Sequence, residues 1–285
     1  MKKHWFFIAI PFLLFFLMSM FLVGQSKEKA PNQLDWNIGV ALYSFNRFPF
    51  VTTLEKAETT GVKFVEGFHF HKMGKDFGDK TMAALSPEEI QKVKNNLNKK
   101  DLTMKSMYVG GAKDKEGWKA FFDMAQTLNV QYLVCEPERK DWDMVDEMAG
   151  NYGIKIALHQ HSKEAGSIYW HPDSVLSAQK NHPNFKACGD LGHWARSGLD
   201  PIACLKKLEG QLLSIHLKDL DGNHQKAKDV MVGTGIIDFE KVVKELKRQN
   251  FNGEVYVECE HKMEDNLADV QEAVRYFEKL SKSTN

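Results

Sequence analysis

The sequence predicts a closed (β/α)₈ barrel, the TIM-barrel fold, and three observations support that prediction. Short apolar runs rich in β-forming residues alternate with amphipathic helical runs, which is typical of a parallel sheet. Eight such units follow one another over about 245 residues, a length that suits a closed barrel. A doubly wound open sheet would need a glycine-rich phosphate loop after an early strand, whereas the weak match Gly233-Thr234-Gly235 comes late.

The elements follow from the spacing of apolar residues along the chain. Strands are predicted at residues 38–43, 62–66, 102–108, 131–135, 154–158, 185–189, 212–215 and 255–257. Helices are predicted at residues 51–60, 87–98, 116–128, 142–151, 173–180, 201–208, 239–248 and 266–280. The second helix has the clearest beginning, because Ser86 and Glu89 have the spacing of a capping box.

Residues 1–26 predict a secretory signal peptide or a retained membrane anchor. Lys2 and Lys3 precede an almost wholly apolar run at residues 5–23, and small and polar residues follow it. That run is long for a signal peptide and close to the length of a membrane span, so both interpretations stay open. Residues 27–37 predict a linker, and residues 38–285 predict one barrel domain. In either case we expect an exported barrel, periplasmic or anchored to the membrane and facing the periplasm.

The charge balance bears on the partners. The 38 basic and 38 acidic residues cancel, and a nucleic-acid-binding protein would show a basic surface. We therefore expect no nucleic-acid partner, a membrane contact only if the N-terminal segment is retained, and leave a homo-oligomer open. The four cysteines have no CxxC spacing, which favours buried free thiols.

Acidic residues and histidines gather where the predicted strands end. In a closed barrel the carboxyl ends of the strands carry the catalytic residues. Carboxylates packed together without a cation repel one another, and their uncompensated burial costs roughly several kcal/mol each. The cluster therefore predicts a divalent metal, and mixed imidazole and carboxylate ligands suit Mn, Co, Zn or Fe better than Ca. The predicted ligands are Glu136, His159, Asp190, His216 and Glu258.

Such a metal could hold two neighbouring oxygens of a sugar, polarise its carbonyl and allow nearby groups to move a proton at the adjacent carbon. Lys218 would support a developing oxyanion. Two choices of ligand stay open, Glu136 against His159 and Glu258 against Glu260. The predicted catalytic residues are Glu136, Glu258, Lys218 and His193. The predicted substrate contacts are His69, Tyr108, His161, His193 and Trp194, the last as an apolar floor for a pyranose.

Four stretches resemble the xylose isomerase-like superfamily of sugar epimerases, isomerases and inosose dehydratases. They are CGDLGHW at 188–194, SIHLKD at 214–219, GTGIIDF at 233–239 and GEVYVE at 253–258. The resemblance covers residues 38–280. It implies a metal-dependent enzyme acting on a small sugar, with Asp190, His216 and Glu258 in ligand places and His193 as a substrate contact.

One position departs from that family pattern. The epimerases carry a glutamate after the fifth strand as both ligand and base, whereas this chain has His159-Gln160-His161. A His-x-His there is similar to the dehydratase and lyase side of the superfamily, with Glu136 available as the missing carboxylate. Some exported members act on 3-keto-glycosides, where the acidic C2 proton permits loss of the C1 substituent. We therefore predict lyase or hydrolase action on such glycosides. A sugar isomerase or epimerase and a non-catalytic sugar-binding protein are the alternatives.

Overall fold

The computed structural model describes residues 1–2 and 36–283, and the second range contains a closed barrel of eight parallel strands. This arrangement confirms the predicted fold class. The barrel strands are β1 Asn37–Ala41, β2 Phe64–Phe68, β3 Thr103–Gly110, β4 Tyr132–Cys135, β5 Lys155–His159, β6 Phe185–Asp190, β7 Leu212–Leu217 and β10 Glu254–Val257. A short antiparallel pair, β8 Asp219–Leu220 and β9 Asp229–Val230, follows β7. The barrel closes where β10 pairs with both β7 and β1.

Helices follow the strands and cover the barrel. They are α1 Phe50–Thr59, α2 Pro87–Lys99, α3 Lys115–Leu128, α4 Trp142–Tyr152, α5 Pro172–Gln179, α6 Leu191–Arg196, α7 Pro201–Lys207, α8 Phe239–Arg248 and α9 Leu267–Ser283. The predicted capping box is present, since Ser86 accepts from the backbone N–H of Glu89 and the Glu89 side chain accepts from that of Ser86. Helix α6 was not predicted, and it begins directly at the end of β6.

Residues 3–26 of the predicted leader and residues 27–35 of the predicted linker lie outside the described residues. Strand β1 begins at Asn37, and Trp36 before it is buried, with its Nε1 donating to the carbonyl of Phe251 at 2.7 Å. The last two residues of the predicted linker therefore belong to the packed barrel. Within residues 1–2 and 36–283, no helix has both the length and the apolar character needed to cross a membrane.

One buried carboxylate fixes the glycine loop after β7. Asp219 accepts the backbone N–H groups of Leu220 at 2.9 Å, Gly233 at 3.0 Å, Gly235 at 2.8 Å and Ile237 at 3.1 Å. A Cβ at Gly235 would stand only 2.3 Å from the carbonyl oxygen of Leu220, so only glycine fits there. The two glycine N–H groups of the GTG stretch thus bind a carboxylate of the chain itself and hold the loop against the barrel.

Replacement of Asp219 by alanine should lower the free energy of unfolding by about 2–4 kcal/mol, because four backbone donors lose their acceptor. Urea unfolding of the wild type and the variant measures this loss. Asp221→Ala is the matched control, because the exposed Asp221 carboxylate accepts from the backbone of Lys228 at 2.8 Å and should cost about 1 kcal/mol or less. Equal losses in the two variants would contradict the role given to Asp219.

Candidate active site

Three acidic or imidazole side chains from neighbouring strands converge at the carboxyl end of the barrel. Asp190 ends β6, His216 lies directly across from it in β7, and Glu258 follows β10. The Nδ1 atom of His216 lies 3.7 Å from Asp190 Oδ2 and 3.1 Å from Glu258 Oε2. All three side chains are buried, and their donor atoms lie within 4.8 Å of one another. We call these three residues the rim cluster.

The rim cluster has the chemistry of a divalent-cation site. Asp190 Oδ1 accepts the N–H of His193 at 2.7 Å and thereby caps α6, which leaves Oδ2 facing the cluster. Within the described residues, Asp190 Oδ2 and His216 Nδ1 are buried without a hydrogen-bond partner. Buried polar atoms normally have one, so two orphaned atoms facing each other beside a carboxylate indicate a missing positive partner. Two carboxylates and an imidazole suit a transition-metal ion.

Lys218 lies beside the rim cluster and supplies a positively charged side chain next to its carboxylates. Its Nζ is 3.2 Å from Glu258 Oε2 and 3.5 Å from Asp190 Oδ2, and it donates to Glu260. Burial alone would lower the pKa of Lys218, but the carboxylates of Asp190, Glu258 and Glu260 outweigh burial and hold that pKa well above its usual value. Lys218 therefore stays an ammonium group. Its stem packs where a Cβ on Gly192 would stand, only 2.6 Å away, which explains the glycine in the CGDLGHW stretch.

A carboxylate inside the barrel orients the imidazole of the rim cluster. Glu66 Oε1 lies 2.9 Å from His216 Nε2, and Glu66 Oε2 accepts from Ser106 Oγ at 2.7 Å. Nε2 of His216 thus faces Glu66 and also the Cys188 thiol at 3.6 Å, and Nδ1 is turned toward Asp190 and Glu258. The sequence pattern predicts Glu66 as the last residue of the second strand and predicts no role for it in the site. In the structure it lies inside β2, and its partner comes from β7 across the barrel.

Glu136 belongs to a second group, with His159 and His161. Its Oε1 lies 3.4 Å from His159 Nδ1 and contacts His161 Nδ1, while its Oε2 accepts from Ser167 Oγ. His159 turns its other nitrogen, Nε2, toward Asp190 Oδ2 at 3.9 Å and so joins the two groups. Of Glu136 and His159, His159 is the residue that the structure brings to the rim cluster. The donor atoms of Glu136, His159 and His161 also lie within 4.8 Å of one another.

A cavity of about 320 Å³ opens onto the rim cluster, and we call it the sugar cavity. It is lined by Tyr43, Phe68, Phe70, Tyr108, His159, His161, His193, Lys218, Glu258 and Glu260. The aromatic rings form a continuous wall, with centroids 5.4 Å apart for Tyr43 and Phe68 and 5.6 Å apart for Phe68 and Tyr108. Apolar faces next to a few convergent polar groups suit a sugar ring, which has C–H faces and hydroxyl edges.

Two predicted substrate contacts are absent from this lining. The Trp194 side chain is fully buried, and its ring packs where a Cβ on Gly189 would stand, 2.5 Å away, so it forms no floor for a pyranose. The error came from the missed helix, because within α6 Trp194 points about 100° away from its neighbour His193. His69 contacts the ring of Phe121, and its Nδ1 lies 3.3 Å from the carbonyl oxygen of Tyr108. The aromatic wall of Tyr43, Phe68 and Phe70 was not foreseen.

Glu66→Gln should weaken the binding of Mn²⁺ or Zn²⁺ by about tenfold to a hundredfold, because a neutral amide is a weaker acceptor for the His216 ring N–H than a carboxylate is and makes the ring a poorer ligand. Calorimetric titration of the metal-free protein measures the dissociation constant. Glu254→Gln is the control, since Glu254 is a buried glutamate whose Oε2 accepts from Tyr132 Oη instead. Equal affinities in the wild type and Glu66→Gln would show that Glu66 does not orient a ligand.

Comparisons with known proteins agree with this architecture. The sequence model of the family described as xylose isomerase-like TIM barrel matches residues 54–280. An inosose dehydratase of Clostridium beijerinckii is 30% identical over 128 residues, which is 40% of this chain and 43% of that protein. The matched region thus spans less than half the length of this relative.

Solved structures give the same picture. An uncharacterised protein of Parabacteroides distasonis superimposes with a TM-score of 0.69 at 28% identity, covering 86% of this chain and 99% of that one. The IolI protein, solved with a zinc atom bound, superimposes with a TM-score of 0.65 at 18% identity over 87% and 99% of the two chains, a likeness of fold. Because the family model matches well over half of the sequence, the chain belongs to the xylose isomerase-like TIM barrel family.

Proposed function

We propose that this chain is a divalent-cation-dependent lyase that removes the proton beside the ketone of a 3-keto-glycoside and expels the substituent at C1. The observation that carries the proposal is the position of His161. Its ring lines the sugar cavity and also a second cavity beside it, so one imidazole faces both places where a proton must move. A glycoside with its sugar in the first cavity and its C1 substituent toward the second would expose both atoms to His161.

A divalent cation, when held by Asp190, His216, Glu258 and His159, would polarise the sugar ketone and acidify the neighbouring C–H group. Asp190 Oδ2 and His216 Nδ1 support this ligand set, because both are buried and neither has a hydrogen-bond partner within residues 1–2 and 36–283. Lys218 Nζ lines the sugar cavity and would stabilise negative charge on the ketone oxygen. His193, whose Nε2 lies 3.3 Å from Lys218 Nζ, would help to hold that ammonium group and the bound sugar.

His161, oriented by Glu136, would move the proton. Because its Nδ1 contacts Glu136, its Nε2 carries the lone pair that accepts a proton. His161 would take the C2 proton and then give it to the oxygen that leaves C1. The C2–H and C1–O bonds break, a C1–C2 double bond forms, and the products are an unsaturated keto sugar and an alcohol. No oxidant or reductant is needed, and Glu136 acts through the imidazole.

The nature of the relatives supports elimination over isomerisation. The relative from Clostridium beijerinckii is named for a dehydration, which is also an elimination, with water as the leaving group. Epimerisation needs a second base on the other face of the carbon, and the glutamate that supplies it in the resembling epimerases is replaced here by His159. The basic and apolar N-terminus supports an exported location for this activity.

The reaction can be assigned by NMR in D₂O with the Mn²⁺-loaded protein and methyl 3-keto-glucoside. We expect release of methanol, and a loss of about a hundredfold or more in kcat for His161→Ala. The control is His224→Ala, which changes an exposed histidine outside the site. Epimerisation or carbonyl transfer of a free ketose without methanol release would replace the lyase assignment with isomerase chemistry. Sugar binding without any turnover would indicate a sugar-binding protein.

Elemental analysis of the purified protein tests the cation. The wild type should hold about one equivalent of a divalent transition metal, and an Asp190→Ala/His216→Ala double variant should hold none, because it lacks two of the donors that face each other. A wild type that stays metal-free after Mn²⁺, Co²⁺ and Zn²⁺ are offered would end the metal-dependent mechanism.

A further inference from the structure

A second cavity of about 450 Å³ adjoins the sugar cavity, and we call it the side chamber. The two cavities share His161 as a lining residue, so this ring is the boundary between them. The remaining lining comes from the segment after β4 and from the loop that follows β5. A substituent on C1 of a sugar bound beside His161 would therefore enter the side chamber.

The polar groups of the side chamber are already engaged with one another. Glu136 uses Oε1 for His159 and His161, and its Oε2 accepts from Ser167. Ser167 Oγ also accepts the backbone N–H of Tyr169 at 3.1 Å. Glu138 is paired with Lys140 at 2.8 Å, and both side chains are turned largely to solvent. Few hydrogen-bonding atoms are left for the hydroxyl groups of a second sugar.

The unengaged surface of the side chamber is apolar. Pro137, Ala165 and Ile168 line it, and the Ile168 side chain is unusual in being exposed beside a cavity. Residue Ile168 is 40% exposed, and among the described residues only Met1 and Ile236 are other large hydrophobic residues with comparable exposure. Together with Pro137 and Ala165, Ile168 gives the side chamber an apolar surface that a ligand in the chamber would contact.

We propose that the side chamber is a leaving-group subsite that binds a neutral, apolar aglycone. This proposal rests on the proposed function, since it takes the sugar cavity as the place of the sugar ring. The two carboxylates of Glu136 and Glu138 line the chamber and would repel a phosphate or carboxylate on the aglycone. The engaged polar groups disfavour a second sugar. An aromatic or alicyclic alcohol fits what remains.

Binding can be measured apart from turnover with glucosides that lack the ketone, because their C2 proton is not acidic. Calorimetric titration of the Mn²⁺-loaded protein with benzyl and methyl β-glucoside should give about tenfold tighter binding of the benzyl compound, from apolar surface buried by the ring. In Ile168→Asn that preference should fall to about threefold or less. Ile236→Asn changes an equally exposed isoleucine outside the chamber and should keep the full preference.

The outcomes separate this proposal from the proposed lyase activity. Equal affinity for the two glucosides, no measurable binding of the benzyl glucoside, or a preference that survives Ile168→Asn would overturn the aglycone subsite. Those results say nothing against methanol release from methyl 3-keto-glucoside. Conversely, a benzyl preference lost only in Ile168→Asn would still show an apolar binding site in the side chamber if the NMR experiment showed no elimination, and only the lyase assignment would fail. Circular dichroism of both isoleucine variants confirms that they are folded.

Discussion

The concentration of buried carboxylates at the carboxyl end of the barrel governs the residues around it. Glu66, Asp190 and Glu258 are each 5% exposed or less, and water does not screen charges at such depth. Opposite charge must therefore come from the protein or from a ligand. Lys218 supplies a fixed ammonium group, His216 supplies a ring held between Glu66 and Glu258, and a divalent cation would complete the compensation. Gly192 makes the position of Lys218 possible, because its missing side chain leaves room for the Lys218 stem.

The buried aspartates differ in how the protein compensates their charge. Asp219 is nearly as buried as Asp190, yet four backbone N–H groups satisfy it and it holds a loop in place. Asp190 has one oxygen satisfied by a helix N-terminus and one oxygen without a hydrogen-bond partner among the described residues. Two aspartates of equal burial thus have different roles, and the number of satisfied oxygens tells them apart. The sequence alone does not, because both aspartates stand at the carboxyl end of a barrel strand.

The periodicity of apolar residues was enough to predict the barrel. Both ends of each of its eight strands were predicted to within two residues. Strand ends were enough to predict that Asp190, His216, Lys218 and Glu258 come together, and that Tyr108, His159, His161 and His193 line the adjoining cavity. Their chemical roles stay predictions. Glu66 was not predicted as a site residue. The second strand lies two residues further along the chain than predicted, so Glu66 lies in its interior and not at its end. Trp194 was assigned wrongly because a helix of six residues changes side-chain direction and carries too few residues for a periodic signal. The contact between Glu136 and Ser167 was not predictable, because the loop after β5 that carries Ser167 meets Glu136 only in the folded chain.

The two contacts of Asp190 limit which residues could replace it. One of its oxygens caps α6 and the other faces the rim cluster, so the residue must be both short enough to cap and charged. Asparagine would keep the cap but lose the charge, and glutamate would keep the charge but reach too far for the cap. The second residue after Asp190, Gly192 in α6, is likewise constrained, because the Lys218 stem occupies the place of its missing side chain. A substitution at Asp190 or at Gly192 would therefore disturb the helix cap, the rim cluster and the position of Lys218 together.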